Sequence, residues 1–376
     1  MPIRPMAAWI AGAAIAAGLS APAAAAPQIP GIPKSKELTE IMKRAGQLRE
    51  LVVTEDEEIR LGASVSERVR ERYGVVQDPG VHRYVTLVGT LLVKKSTRPN
   101  LPFRFIVLDT DGVNAFAAPG GFIHVTRGAL GLMSTEAELA GVLAHEISHV
   151  TEKHTIEAIR KNKLIQMTAE ESITKNAELW NQLVDVTSDL VMAGFGRGEE
   201  MESDRDGLAM ADAAGYSPAG LGDFLERLSA RNKASTGRQG LFASHPETKE
   251  RITTLDREIT ARRYASSVML GDRYRSRISY TAKPVAEIAT VEAGSAGLAG
   301  GASKPAAEPK KKGFGLGTLL KPGGTGKKSA EVTGSAASRG VDTERGAVGG
   351  PVKAIVAVKV SQAELDAFRK EGNLKP

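Results

Sequence analysis

The residues best suited to chemistry lie in one stretch, His145-Glu146-Ile147-Ser148-His149. Two imidazoles four positions apart on a helix are about one turn apart and project the same way, so both can reach one metal ion. Glu146, beside the first of them, can then act on a water held by that metal. The segment 135–154 around the motif reads as a helix. Leu139, Val142, Leu143, Ile147 and Val150 recur at three- and four-residue steps, which gives one buried face, and only Gly141 interrupts them. One continuous helix reaching His154 is therefore expected.

A metal that activates water needs a third protein ligand and an open position. The chain has no cysteine, so histidine and carboxylate must supply every donor, and disulfides and a cysteine nucleophile are excluded. One known arrangement continues the motif as His-Glu-x-x-His-x-x-Gly-x-x-His. Here Glu152 and Thr155 hold the required positions, and His154 is one residue off. The other arrangement takes a glutamate from a second helix, with an aspartate one turn later. Glu200 and Asp204 have that spacing. Glu200 would bind the metal and Asp204 would accept a hydrogen bond from a ligating histidine. Their neighbours Glu199 and Glu202 leave open an ordinary acidic solvent face. His245, in Ser244-His245-Pro246, stands outside both motifs. It has three readings: a donor to the oxyanion formed in hydrolysis, an occupant of the metal's open position that silences the site, or a surface histidine at a helix start.

The elements that must position these groups follow in order. Residues 35–98 read as three helices, the second opened by the Thr54/Glu57 capping box and the third by Asp78-Pro79. Phe103 to Leu108 is a strand, and Asn114 to Ala118 and Phe122 to Thr126 are two short strands around Pro119-Gly120-Gly121. An edge strand there could pair with an extended peptide and hold it across the metal. His124 is expected to be a packed strand residue. Residues 155–194 suggest helices, and further helices run from about Gly196 to Gly215, from Tyr216-Ser217-Pro218 to Leu228, and from Ser244-His245-Pro246 to about Arg262.

The two ends differ in kind. Arg4, the apolar run from Ala7 to Leu19 and the alanine-rich stretch after it have the form of a signal peptide over residues 1–26, cut after Ala23 or Ala25. That predicts an exported, periplasmic protein with no membrane span in its mature chain and no lipid-bearing cysteine. From Val291 to Gly350, 15 of 60 residues are Gly, a composition that cannot bury enough apolar surface to order itself. Between Lys304 and Arg345 nine basic residues face four acidic ones, which accounts for +5 of the formal net charge of +6. The basic character thus belongs to a tail rather than to a nucleic-acid groove, and the tail's possible contact is an anionic surface. The last stretch regains pattern: Ala354 to Val360 as a strand, then a short helix opened by Ser361 and Glu364.

Three segments together resemble the M48 metallopeptidases: Val113 to Gly121, Glu138 to Val150, and Arg197 followed by Glu200-Met201-Glu202-Ser203-Asp204. The resemblance covers roughly residues 37–260. It implies a gluzincin: an α+β, mostly helical metallopeptidase domain with a small β-sheet. One Zn2+ per subunit would be held by His145, His149 and Glu200, with Glu146 as general base and Asn114, Ala115, Phe116 and Ala117 as the peptide-binding strand. The soluble, exported, BepA-like branch fits best, although its TPR repeats are absent and the Gly-rich tail stands in their place. Ser203 and Phe195-Gly196 stand where the family usually has Ala and Tyr-Ser. The resemblance implies polypeptide substrates, misfolded or stalled envelope proteins, and contact with outer-membrane assembly machinery. The expected organisation is a signal peptide (1–26), a peptidase domain (27–285), a disordered basic linker (286–350) and a C-terminal strand-helix (351–376). The rival reading keeps the fold but not the reaction, as a non-proteolytic periplasmic chaperone or scaffold. Glu146 argues against it, because binding alone requires no general base.

Overall fold

The computed structural model describes residues 53–161, 177–232, 245, 248–284, 291–292, 329–330 and 352–375. The expected signal peptide, the helix before residue 52 and nearly all of the basic linker lie outside these residues. Eleven helices and one three-stranded sheet organise the described domain. Helix α1 is Glu55–Tyr73, opened by the expected Thr54/Glu57 capping box, and α2 is Pro79–Val93, capped by Asp78. Strands β1 (Arg104–Leu108), β2 (Ala115–Ala118) and β3 (Phe122–Thr126) form a sheet in the order β1-β3-β2. β1 runs parallel to β3 and β2 antiparallel to it, with Phe116 opposite His124. β2 is thus an edge strand.

The turn between β2 and β3 is fastened to α1. Gly120 sits at φ 67°, and a Cβ there would come within 2.4 Å of Ile59 Cα, so only glycine fits. Its N–H donates to the buried Glu58 carboxylate at 3.1 Å, which Arg98 grips through both terminal nitrogens at 2.9 and 3.1 Å. The edge strand is therefore held at a fixed height beside the helices that follow.

Those are α3 (Arg127–Leu132), α4 (Glu136–Thr151), α5 (His154–Lys161), α6 (Ala177–Ala193), α7 (Arg197–Ala214), α8 (Gly220–Asn232), α9 (Thr248–Arg262) and α10 (Gly271–Arg277). α3 and α10 are too short to announce themselves by periodicity. Helix α4, which carries the two histidines, departs from its expected form in two ways. Every residue from Glu136 to Val150 is buried, not one face alone. α7 and α8 press against it with glycines at the contact: a Cβ on Gly220 would lie 2.1 Å from Ala137 O, and one on Gly207 3.1 Å from His145 N. The helix also stops before His154. Lys153 takes φ 58°, a left-handed conformation that reverses the chain between α4 and α5. No helix among the described residues is long and apolar enough to cross a membrane.

The C-terminal stretch, set apart in sequence by the linker, packs into the same core. α11 (Gln362–Glu371) has the expected Ser361/Glu364 capping box and buries Leu365 and Phe368. Residues 354–360, expected as a strand, join no sheet, although Val352 O just before them accepts from Val75 N at 2.7 Å. Arg273 lies over the Phe368 ring at 4.1 Å, donates to Phe368 O at 2.8 Å and binds the fully buried Glu136 at the start of α4. Tyr84 and Tyr216 complete that carboxylate's shell at 2.7 and 2.8 Å. Phe368→Ala is therefore expected to lower stability by about 3–5 kcal/mol, read as a shift in the urea midpoint at unchanged slope.

Candidate metal centre

Four side chains from three regions of the chain converge behind the sheet. His145 and His149 come from α4, Glu200 from the first turn of α7, and His245 from just before α9; one ligand atom of each lies within 4.8 Å of all the others, and all four residues are buried. His145 Nε2 is 3.0 Å from His149 Nε2 and 3.3 Å from His245 Nδ1. The Glu200 oxygens are 2.9 Å from His245 Nδ1 and 3.5 Å from each of the two α4 imidazoles. Separations of 3.0–3.5 Å are those of atoms around one small ion with bonds of about 2.0–2.1 Å. The donor set holds nitrogen and oxygen only, which suits zinc and other borderline divalent metals. These residues fit a metal ion.

Glu200 and Asp204 face α4, as their one-turn spacing requires, and are almost fully buried. Glu202 points elsewhere, with its side chain 43% exposed. Asp204 Oδ1 lies 3.0 Å from His145 Nδ1, the nitrogen turned away from the cluster. Two buried carboxylates one turn apart need compensation, and the residue that supplies it is one the sequence reading missed. Arg251 of α9 donates to both oxygens of Asp204 at 2.8 and 2.6 Å and lies 2.7 Å from Glu200. Its only sequence signal is its position, six residues after His245 at the head of an expected helix. Burial would raise the Asp204 carboxyl, but the Arg251 charge and the His145 hydrogen bond hold it down to about 2. Glu200 is likewise held well below the usual carboxylate range, against burial, by His245 and the two α4 histidines. Burial also opposes charge on His145, yet its bonds to Asp204 and Glu200 lift it to about 9.

Glu146 turns to the same space without joining the cluster. It is 1% exposed, its Oε1 is 3.5 Å from His245 Nε2, and its Oε2 has no hydrogen-bond partner among the described residues. Burial pushes its carboxyl above the usual range. A carboxylate so placed has the basicity and the vacant lone pairs to take a proton. Phe195 stacks on His149 at 4.3 Å between centroids and closes one side. Of the expected substrate strand, Asn114 accepts from Ala115 N–H at 3.0 Å through its side-chain oxygen, while Ala115, Phe116 and Ala117 lie in β2, a buried strand at the edge of the sheet. His124 is a packed strand residue, 2.9 Å from Ser66 Oγ and stacked on Phe116.

Removing Arg251 takes the guanidinium away from two adjacent buried carboxylates. Arg251→Met is expected to cost about 3–5 kcal/mol of stability in the metal-free protein. A second change, Asp204→Asn, should recover part of that loss when urea denaturation is followed with chelator present.

Residues 79–259, from α2 to α9, match the family described as Peptidase family M48. A beta-barrel assembly-enhancing protease of Yersinia pestis is 27% identical over 210 residues, 53% of this chain and 43% of the relative. The mitochondrial metalloendopeptidase OMA1 of Schizosaccharomyces pombe is 30% identical over 211 residues, 54% of this chain and 61% of the relative. Metalloprotease YcaL of Escherichia coli is 29% identical over 155 residues, 40% of this chain and 59% of the relative. The chain spans about half the length, or less, of the first curated relatives it matches. The region matched to Peptidase family M48 contains the sheet, both motif helices and the whole convergent cluster, and over that region the chain is similar to the family's peptidases.

Proposed function

We propose that this protein is a zinc-dependent endopeptidase acting on exported polypeptides. The observation that carries the reading is the convergence of His145, His149, Glu200 and His245 beside a buried Glu146 whose Oε2 has no partner among the described residues. His145, His149 and Glu200 would hold the ion. Zinc there supplies Lewis-acid polarisation of a carbonyl and makes water acidic enough to attack at neutral pH. The rest falls to the chain's own residues. Glu146 accepts the proton of the attacking water and returns it to the leaving amine. Asp204, fixed by Arg251, keeps His145 turned so that Nε2 faces the ion. β2 offers free-edge backbone groups to an extended peptide, which suits substrates that are locally unfolded.

The names of the relatives, a signal-like N-terminus and the expected export support a role in envelope protein quality control, with the basic tail free to meet outer-membrane assembly machinery or an anionic surface. For His245, the 2.9 Å approach of its Nδ1 to Glu200 favours the silencing reading. In the resting protein His245 would help to hold the ion with the other three residues, and would have to withdraw for substrate to reach it.

Glu146→Gln is expected to abolish peptide hydrolysis while zinc content stays near one per chain, because the base is not a ligand. Equal turnover by variant and wild type on casein would remove the mechanism. His245→Ala should raise basal cleavage several-fold while the remaining three ligands retain zinc. Slower cleavage by that variant would assign His245 as an oxyanion donor instead.

A further inference from the structure

A histidine that binds a metal through Nε2 keeps its proton on Nδ1, and a buried N–H needs an acceptor. His145 has one, the Asp204 carboxylate at 3.0 Å. Among the described residues, no carboxylate faces Nδ1 of His149. Its Nδ1 is instead 2.9 Å from Nδ1 of His154. His154 is itself buried, and its other nitrogen, Nε2, lies 3.3 Å from Glu202 Oε2.

The proton order along this row follows from counting. If His149 Nε2 faces the ion, its single proton is on Nδ1 and points at His154. Nδ1 of His154 must then offer a lone pair, so the His154 proton sits on Nε2, and the atom facing it is the Glu202 carboxylate oxygen. Both hydrogen bonds are satisfied in this order, and the reverse order would put the His149 proton on Nε2, the nitrogen that faces the ion. Ser203 Oγ, 3.4 Å from the same Nδ1, can add a second donor to it. Phe195 lies against both rings, with centroids 4.3 Å from His149 and 5.7 Å from His154, which restrains their rotation.

The turn at Lys153 makes the contact possible. On an unbroken helix, residues five apart point about 140° away from each other, and His154 would face away from His149. The left-handed Lys153 folds the chain back and brings the two rings together.

We infer that His154 and Glu202 form a His-Glu relay that positions His149 for metal binding: His149 Nδ1–H donates to His154 Nδ1, and His154 Nε2–H donates to Glu202. The inference rests on the reading of His149 as a metal ligand. His154 and Glu202 are positioning residues and touch neither ion nor substrate. The two α4 histidines are thus backed differently. Behind His145 stands a carboxylate sealed in by Arg251; behind His149 stands a neutral ring whose carboxylate is partly open to solvent and shared with Arg205 at 3.3 Å.

The test is the zinc affinity of the full-length protein, measured by competition with a chromophoric chelator. His154→Phe fills the space but offers no acceptor, and is expected to weaken zinc binding by about 10–100-fold. His154→Asn is smaller but keeps an oxygen where Nδ1 was, and should stay within about threefold of wild type, the remaining loss reflecting the broken link to Glu202. A role in packing alone reverses that order. Glu202→Ala should weaken binding by less than His154→Phe, and should add nothing once His154 is Phe. Affinity unchanged in His154→Phe, a weaker His154→Asn than His154→Phe, or additive effects of the two positions would overturn the relay. Failure of the underlying reading looks different: wild type would not bind zinc, or His149→Ala would bind it as tightly.

Discussion

The structure depends on one constraint: a helix that carries two histidines and three glutamates is buried on every side. Water cannot compensate the polar groups of α4, so neighbouring chain must do it group by group. Glu136 is enclosed by Arg273, Tyr84 and Tyr216, and Glu138 takes bonds from Ser134 and Arg227. His145 leans on Asp204, and His149 lies against His154. Among the described residues, Glu146 Oε2 and Ser148 Oγ keep no hydrogen-bond partner, and of the two only Glu146 is a carboxylate that turns to the cluster.

The compensating groups come from far along the chain, and this explains why the domain extends beyond the matched family region. Arg273 lies on α10, and Phe368, which it covers, lies on α11, both outside residues 79–259. α1 lies outside as well, yet its Glu58 and the Arg98 grip on it fix the turn that sets the edge strand. The site is assembled in the centre and tensioned from the periphery. The basic linker, by contrast, separates α11 from the rest in sequence without separating it from the core.

Electrostatics divides the centre into two halves. On one, His245 and the two α4 histidines hold the Glu200 carboxyl low, and Arg251 with His145 holds Asp204 low, so that both remain charged acceptors. On the other, burial outweighs the nearby positive charges and pushes Glu146 upward. Placing a strongly acidic carboxyl and a basic one a few ångströms apart is what ligand and general base respectively require. The difference comes from the direct bonds that the histidines make to Glu200.

The sequence by itself determined the chemistry: the residue types at 145, 146 and 149, the one-turn spacing of Glu200 and Asp204, the absence of thiols, the strand pattern of residues 103–126 and the caps at Thr54, Asp78 and Ser361. These are local regularities, set by helix and strand periods that are visible along the chain. The tertiary structure decided the rest, because it depends on contacts between distant residues. Helix period cannot tell that α4 is buried all round, since that follows from glycines on two other helices. Nor does any local pattern bring Arg251 to Asp204, 47 positions away, or seat α11 beneath Arg273. His245 had three readings in sequence, and only its 3.3 Å approach to His145 drew it into the cluster. His154, one residue off the pattern for a ligand, gained its contact with His149 from a single left-handed residue, Lys153, whose backbone angle no periodicity announces.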